Sequence, residues 1–114
     1  KYSIENNSLW LSNYNVLLFN NIDYVEITLN QHEYKPKYIQ SVDNNQITKI
    51  KFVDNQYTIQ KHNPKSLIID SDYFIPSENR SGYDCRKLSV YISKILVRTQ
   101  KDKEMIEYDL NKIA

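Results

Sequence analysis

The longest apolar run of the chain, Lys87 to Val97, is dense in β-branched and aromatic residues. Such a run favours a strand, and its length favours a central one. It is reached through Tyr73-Phe74-Ile75, which Pro76 stops. A polar loop from Ser77 to Cys85 follows and holds the one glycine, Gly82. The segment therefore predicts a short strand, a long loop and a long central strand. Leu88, Val90 and Ile92 share one face of the run. After Ser93 the apolar positions move to Ile95 and Val97, with Leu96 between them. That one-residue shift predicts a β-bulge or a strand covered on both sides.

The rest of the chain follows the same pattern in shorter pieces. Leu9 to Ser12 and Val16 to Phe19 are apolar runs near asparagine-rich turns. Ile22 to Leu29 alternates, with Val25, Ile27 and Leu29 opposite Tyr24, Glu26 and Thr28, as a half-buried strand does. Residues 30–36 read as a loop closed by Pro36, and Lys37 to Val42 as a weaker strand. Asp43-Asn44-Asn45 is a turn. Gln46 to Val53 alternates again, with Ile47, Lys49, Lys51 and Val53 opposite Thr48, Ile50 and Phe52. Asp54-Asn55 is a two-residue turn that returns Gln56 to Gln60 as the hairpin partner. Lys61 to Lys65 is a loop and Ser66 to Asp70 a strand. Glu104 to Leu110 fits a last strand, while Met105, Ile106, Leu110 and Ile113 also fit a short helix. About nine short strands with closely spaced turns predict an all-β fold, a single antiparallel β-sandwich of jelly-roll type.

The chain's 114 residues suit one domain with one core, spanning residues 1–114. Lys1 opens it without a methionine, which leads us to expect a domain of a longer protein. Fifteen basic residues against fourteen acidic ones leave a net charge of +1. That balance argues against a nucleic-acid partner, which calls for a basic excess. No apolar run reaches membrane-spanning length, so no membrane insertion of this segment is expected. Cys85 stands alone, so neither an internal disulfide nor a cysteine-based zinc site is available. The compartment stays open, with the cytoplasm, as part of a larger protein, one option.

Catalytic signatures are missing. There is no glycine-rich phosphate loop, and His32 and His62 sit in separate loops. No cofactor, metal or catalytic residue is expected. The aromatic residues are the best binding feature, because sugar rings stack their C–H faces on Trp and Tyr. Trp10, Tyr14, Tyr34, Tyr57 and Tyr83 lie in or near polar turns and are the candidate ligand contacts; the bland alternative is that their rings pack on the core. Alternation sends Trp10 to the face opposite Leu9 and Leu11. The size of the indole favours placing Trp10 in the core.

The run Phe74-Ile75-Pro76, a polar loop, Asp84-Cys85-Arg86-Lys87-Leu88, and then Val90, Ile92 and Ile95 resembles a family pattern. The pattern belongs to accessory domains attached to glycosyltransferases and related enzymes of surface-polysaccharide synthesis. It reads aromatic-x-Pro, loop, Asp-x-Arg-x-Leu-Gly, then an alternating strand. Ser89 stands where the family usually has glycine. The resemblance implies a small β-sandwich similar to carbohydrate-binding modules. Such a domain is non-catalytic, and it binds glycan or packs on an adjacent glycosyltransferase domain. The alternative is a protein-interaction or oligomerisation module without sugar affinity. Asp84 and Arg86 lie two apart and point the same way in an extended chain, so they are expected to pin the loop.

Overall fold

The computed structural model describes residues 2–5, 8–33, 35–79, 84–99 and 105–109. The strands are β1 (Tyr2–Glu5), β2 (Ser8–Leu11), β3 (Tyr14–Leu18), β4 (Ile22–Asn30), β5 (Ile39–Asp43), β6 (Gln46–Lys49), β7 (Gln56–His62), β8 (Ser66–Ser71), β9 (Tyr91–Thr99) and β10 (Met105–Asp109). A single helical turn, α1 (Pro76–Asn79), precedes β9.

Eight strands form two facing antiparallel sheets of four, ordered β2-β9-β4-β7 and β3-β8-β5-β6. In the first sheet β1 adds beyond β2, and β10 pairs with the far part of β9. The chain changes sheet at most steps from β2 to β9. This strand order is that of a jelly roll, and it confirms the all-β sandwich expected from the turn spacing.

Alternation explains the core. Leu11, Val25, Ile27, Leu29, Ile59, Val90 and Ile92 come from the first sheet or the segments leading into it. Ile39, Leu67 and Ile69 come from the second sheet, and Ile50 directly follows β6. All are buried. Each such side chain contributes roughly 1.5–3 kcal/mol relative to exposure, which makes this one layer the main source of stability. The bulge falls where the shift of pattern placed it. Thr28 pairs with Lys94 and Leu29 with Ile92, so Ser93 is the extra residue. Its hydroxyl bonds Asn30 Oδ1 at 2.5 Å.

The tight turns follow from asparagine and aspartate. Asn44, Asn45, Asp54 and Asn55 all have positive φ. Asn44-Asn45 joins β5 to β6, and Asp54-Asn55 sits between the bridged residues Val53 and Gln56. These backbones match the primed hairpin turns that short polar side chains tolerate.

Several details differ from the sequence reading. The described residues form ten strands, eight of them in the two sheets of four, and β1 has no counterpart in the strands read from the sequence. Met105–Asp109 form the last strand, the first of the two alternatives left open for 104–110. β9 begins at Tyr91 rather than Lys87; Leu88 instead makes an isolated bridge to Phe74. That bridge is all that forms of the short strand expected at 73–75, and Pro76 opens a helical turn after it, as its fixed φ allows. The expected 46–53/56–60 hairpin persists only as the Val53–Gln56 bridge. Beyond it β7 crosses to pair with β4, where Ile59 reaches the core opposite Ile27.

Candidate functional site

The two outer faces of the sandwich differ in chemistry. On the first sheet, β4 and β7 turn Tyr24, Glu26 and Thr28 outward beside His62, Gln60 and Thr58. These groups satisfy one another. Gln60 donates to Glu26 at 2.7 Å, the Thr28 and Thr58 hydroxyls lie 3.3 Å apart, and the Tyr24 and His62 ring centroids are 4.8 Å apart. Arg98 lies over the Tyr24 ring, 5.8 Å from its centroid. This is a solvated, internally paired face.

On the second sheet one row of outward positions is apolar. Val16 of β3 pairs with Ile68 of β8, Ile68 with Val42 of β5, and Val42 with Ile47 of β6. One unbroken aliphatic row therefore crosses all four strands. Strand spacing gives it a span of roughly 14 Å. Val16 is 47% exposed and Ile47 63%. Leu18, 79% exposed, extends the patch along β3. The next row over is polar: Tyr14 pairs with Asp70, Asp70 with Gln40 and Gln40 with Lys49. Gln40 Nε2 donates to Asp70 Oδ2 at 3.1 Å, and the Tyr14 ring is 52% exposed. An aliphatic row thus lies beside an aromatic and hydrogen-bonding row on this face.

The candidate ligand residues that lie among the described residues do not converge. Tyr14 lies on this face. Tyr57 turns inward, packs against the core and sits edge-on to Phe52 at 6.4 Å. Tyr34 and Tyr83 lie outside the described residues. Trp10 corrects an expectation: Leu11, not the indole, enters the core, and Leu9 packs against it. The ring is half-buried all the same, on the outer side of the first sheet. Its centroid lies 5.1 Å from Tyr91, 5.4 Å from His32 and 6.4 Å from Phe74. Two chain segments fold over it, carrying His32 and Phe74, and these rings stack at 5.6 Å. The indole thus gains burial without the sandwich core.

Asp84 and Arg86 form a fork. Arg86 Nη2 and Nε donate to the two carboxylate oxygens of Asp84 at 2.6 and 2.9 Å, and the Arg86 amide adds a bond of 3.1 Å. The Arg86 side chain and backbone hold the Asp84 carboxyl at about 2, well below its usual range. Asp84's carbonyl in turn accepts from Ser77 N–H at 2.8 Å, which ties the end of the loop to α1. The pair is exposed and structural in its bonding.

Among the described residues, no group of three or more His, Cys, Asp or Glu is placed to hold a metal. No described helix is long and apolar enough to cross a membrane. Sequence reasoning missed the aliphatic row. Its signal was Ile47 on the same strand face as Lys49, where polar residues alone are expected. No protein-family model, curated protein or solved structure matches the chain.

Proposed function

We propose that this domain is a non-catalytic accessory module that packs on a partner protein domain through the outer face of its second sheet. The aliphatic row Val16–Ile68–Val42–Ile47 carries the reading. Exposed β-branched residues in an unbroken row gain by leaving water, and a sheet or helix face of similar shape covers them best. The patch is small: two rows on four strands, with Leu18 beyond them, cover on the order of 200 Å², well below the ~800 Å² per partner of a free-standing complex. A tethered neighbour suits that size, because linkage supplies effective concentration in place of area. The resemblance around Asp84, Arg86 and Leu88 supports a glycosyltransferase domain of the same polypeptide as that neighbour. The test is a paired comparison of Ile47→Asp with Gln60→Asp in the full polypeptide. The first is expected to detach the domain, read as accelerated proteolysis between domains. The second, on the opposite face, is expected to leave it docked. Equal behaviour of the two would refute the reading.

Tyr14, Asp70, Gln40 and Lys49 favour a second reading, a glycan held on the same face. An exposed ring next to an amide–carboxylate pair is a sugar-binding combination. Fluorotyrosine NMR of Tyr14 during titration with oligosaccharides separates the two, since only glycan binding shifts that resonance in the isolated domain.

A further inference from the structure

The strand β3 stands at the edge of the second sheet, with β8 as its neighbour. Asn13 accepts from the Ser71 amide and the Phe19 amide donates to Lys65, so the residues of that parity bond to β8. Val16 and Leu18 have the other parity, and their backbone N–H and C=O groups point off the sheet edge. Edge strands are normally guarded by charge. The other edges follow that rule: β1 carries Glu5, β6 Lys49, β7 Lys61, and β10 Glu107 and Asp109. β3 reads Y-N-V-L-L and carries none.

A cleft opens directly beside this edge, between the two sheets. It has a volume of about 210 Å³ and is lined by Leu9, Leu17, Phe19, Ile27, Ile92 and Ile95, with Val16 and Leu18 at its rim. That is several times the ~30 Å³ share of one water, and its walls offer no side-chain hydrogen bond. An edge with two backbone donors and acceptors in register and an apolar hollow on its inner side fit one ligand shape. That shape is an extended strand whose alternate side chains turn inward.

We infer that β3 accepts a single β-strand from another polypeptide, an uncharged segment with aliphatic residues at every second position. Its backbone pairs with Val16 and Leu18, and its inward side chains fill the cleft. A second copy of this chain fits less well. β1 carries the first sheet one strand beyond β2, so it overhangs the β3 edge. Two copies joined through β3 would bring the partner's β2 into the space that β1 holds. One strand fits beneath β1. Charge also selects the ligand, because nothing on β3 or in the cleft offsets a charged inward residue.

The probe is a fluorescent peptide of alternating threonine and leucine with a lysine at each end, titrated into the whole chain. Binding in the micromolar range is expected. Val16→Pro removes an amide that no bond to β8 uses, a change that edge strands tolerate. It is expected to weaken binding at least ~10-fold with the melting temperature held. Leu18→Lys, which puts a charge on the uncharged edge at a residue 79% exposed, is the second variant and is expected to act likewise. A peptide N-methylated on the residues that face β3 should not bind. Four results overturn the inference: no binding at millimolar peptide; binding indifferent to N-methylation; binding only after truncation following Asp109, which assigns the edge to the chain's own last residues; or a dimer that Val16→Pro abolishes, which assigns it to a second copy.

Discussion

The hydroxyls of Ser71 and Ser89 lie 2.5 Å apart in the interior, with both residues buried. Ser71 ends β8 of the second sheet, and Ser89 leads into β9 of the first. Ser89 N–H also donates to the Leu11 carbonyl, and Ser71 N–H to that of Asn13. One hydroxyl pair thus joins the sheets where the β2–β3 crossover leaves the first for the second. Replacing either serine by alanine strands the other hydroxyl without this partner in an apolar setting. We expect each single substitution to cost about 1–3 kcal/mol and the double substitution less than the sum. Urea unfolding of the four proteins checks this; strict additivity would show that the pair is not coupled.

Arg86→Ala is expected to cost less than ~1 kcal/mol, because the Arg86 side chain is 41% exposed and that of Asp84 35%. Its sharper effect is on pH dependence. Asp84 is held at about 2, below its ordinary value. A depressed carboxyl contributes stability that is present above its unfolded value of ~3.9 and is lost as pH falls through the folded one. The wild type should therefore lose a little stability between pH 4 and 2 that Arg86→Ala does not lose. NMR titration of the Asp84 carboxyl supplies the direct reading, with a rise toward ~3.9 expected in the variant.

Trp10 should emit as a half-shielded indole and stay silent toward oligosaccharides, since His32, Phe74 and Tyr91 occupy its surroundings. Trp10→Ala is expected to cost on the order of 2–3 kcal/mol through lost packing. Glycan-dependent quenching of the emission would relocate the ligand site to this corner.

Asn45 and Asn55 hold positive φ at the second positions of two tight turns. Asn45→Gly and Asn55→Gly should be neutral or stabilising by a few tenths of a kcal/mol, whereas Asn55→Val should destabilise by ~1 kcal/mol or more. Thermal melts of the three variants decide it.

Features set by local chemistry were legible. Asn44-Asn45 and Asp54-Asn55 read as turns because their short polar side chains tolerate positive φ. The Ser93 bulge showed in the shift from Ile92 to Ile95. Features set by distant partners were not. Nothing near Gln56 says that β7 leaves β6 for β4. Nothing near Trp10 says that segments around His32 and Phe74 will cover it. Tyr14 and Tyr57 have similar local surroundings, yet one is exposed and the other turned inward, because strand parity decides. The aliphatic row was hidden for the same reason. Val16, Ile68, Val42 and Ile47 come from four strands and meet only through register.

The central claim is that this row is a covered interface in the working protein. Methyl NMR with a soluble paramagnetic probe tests it most directly, on this chain alone and on the longer polypeptide that the proposal calls for. The account predicts that the probe broadens the methyls of Val16, Leu18 and Ile47 in the isolated domain while sparing Ile27 and Ile92. In the full polypeptide Val16 and Ile47 should become protected. Equal broadening of Val16 and Ile47 in both proteins would contradict it.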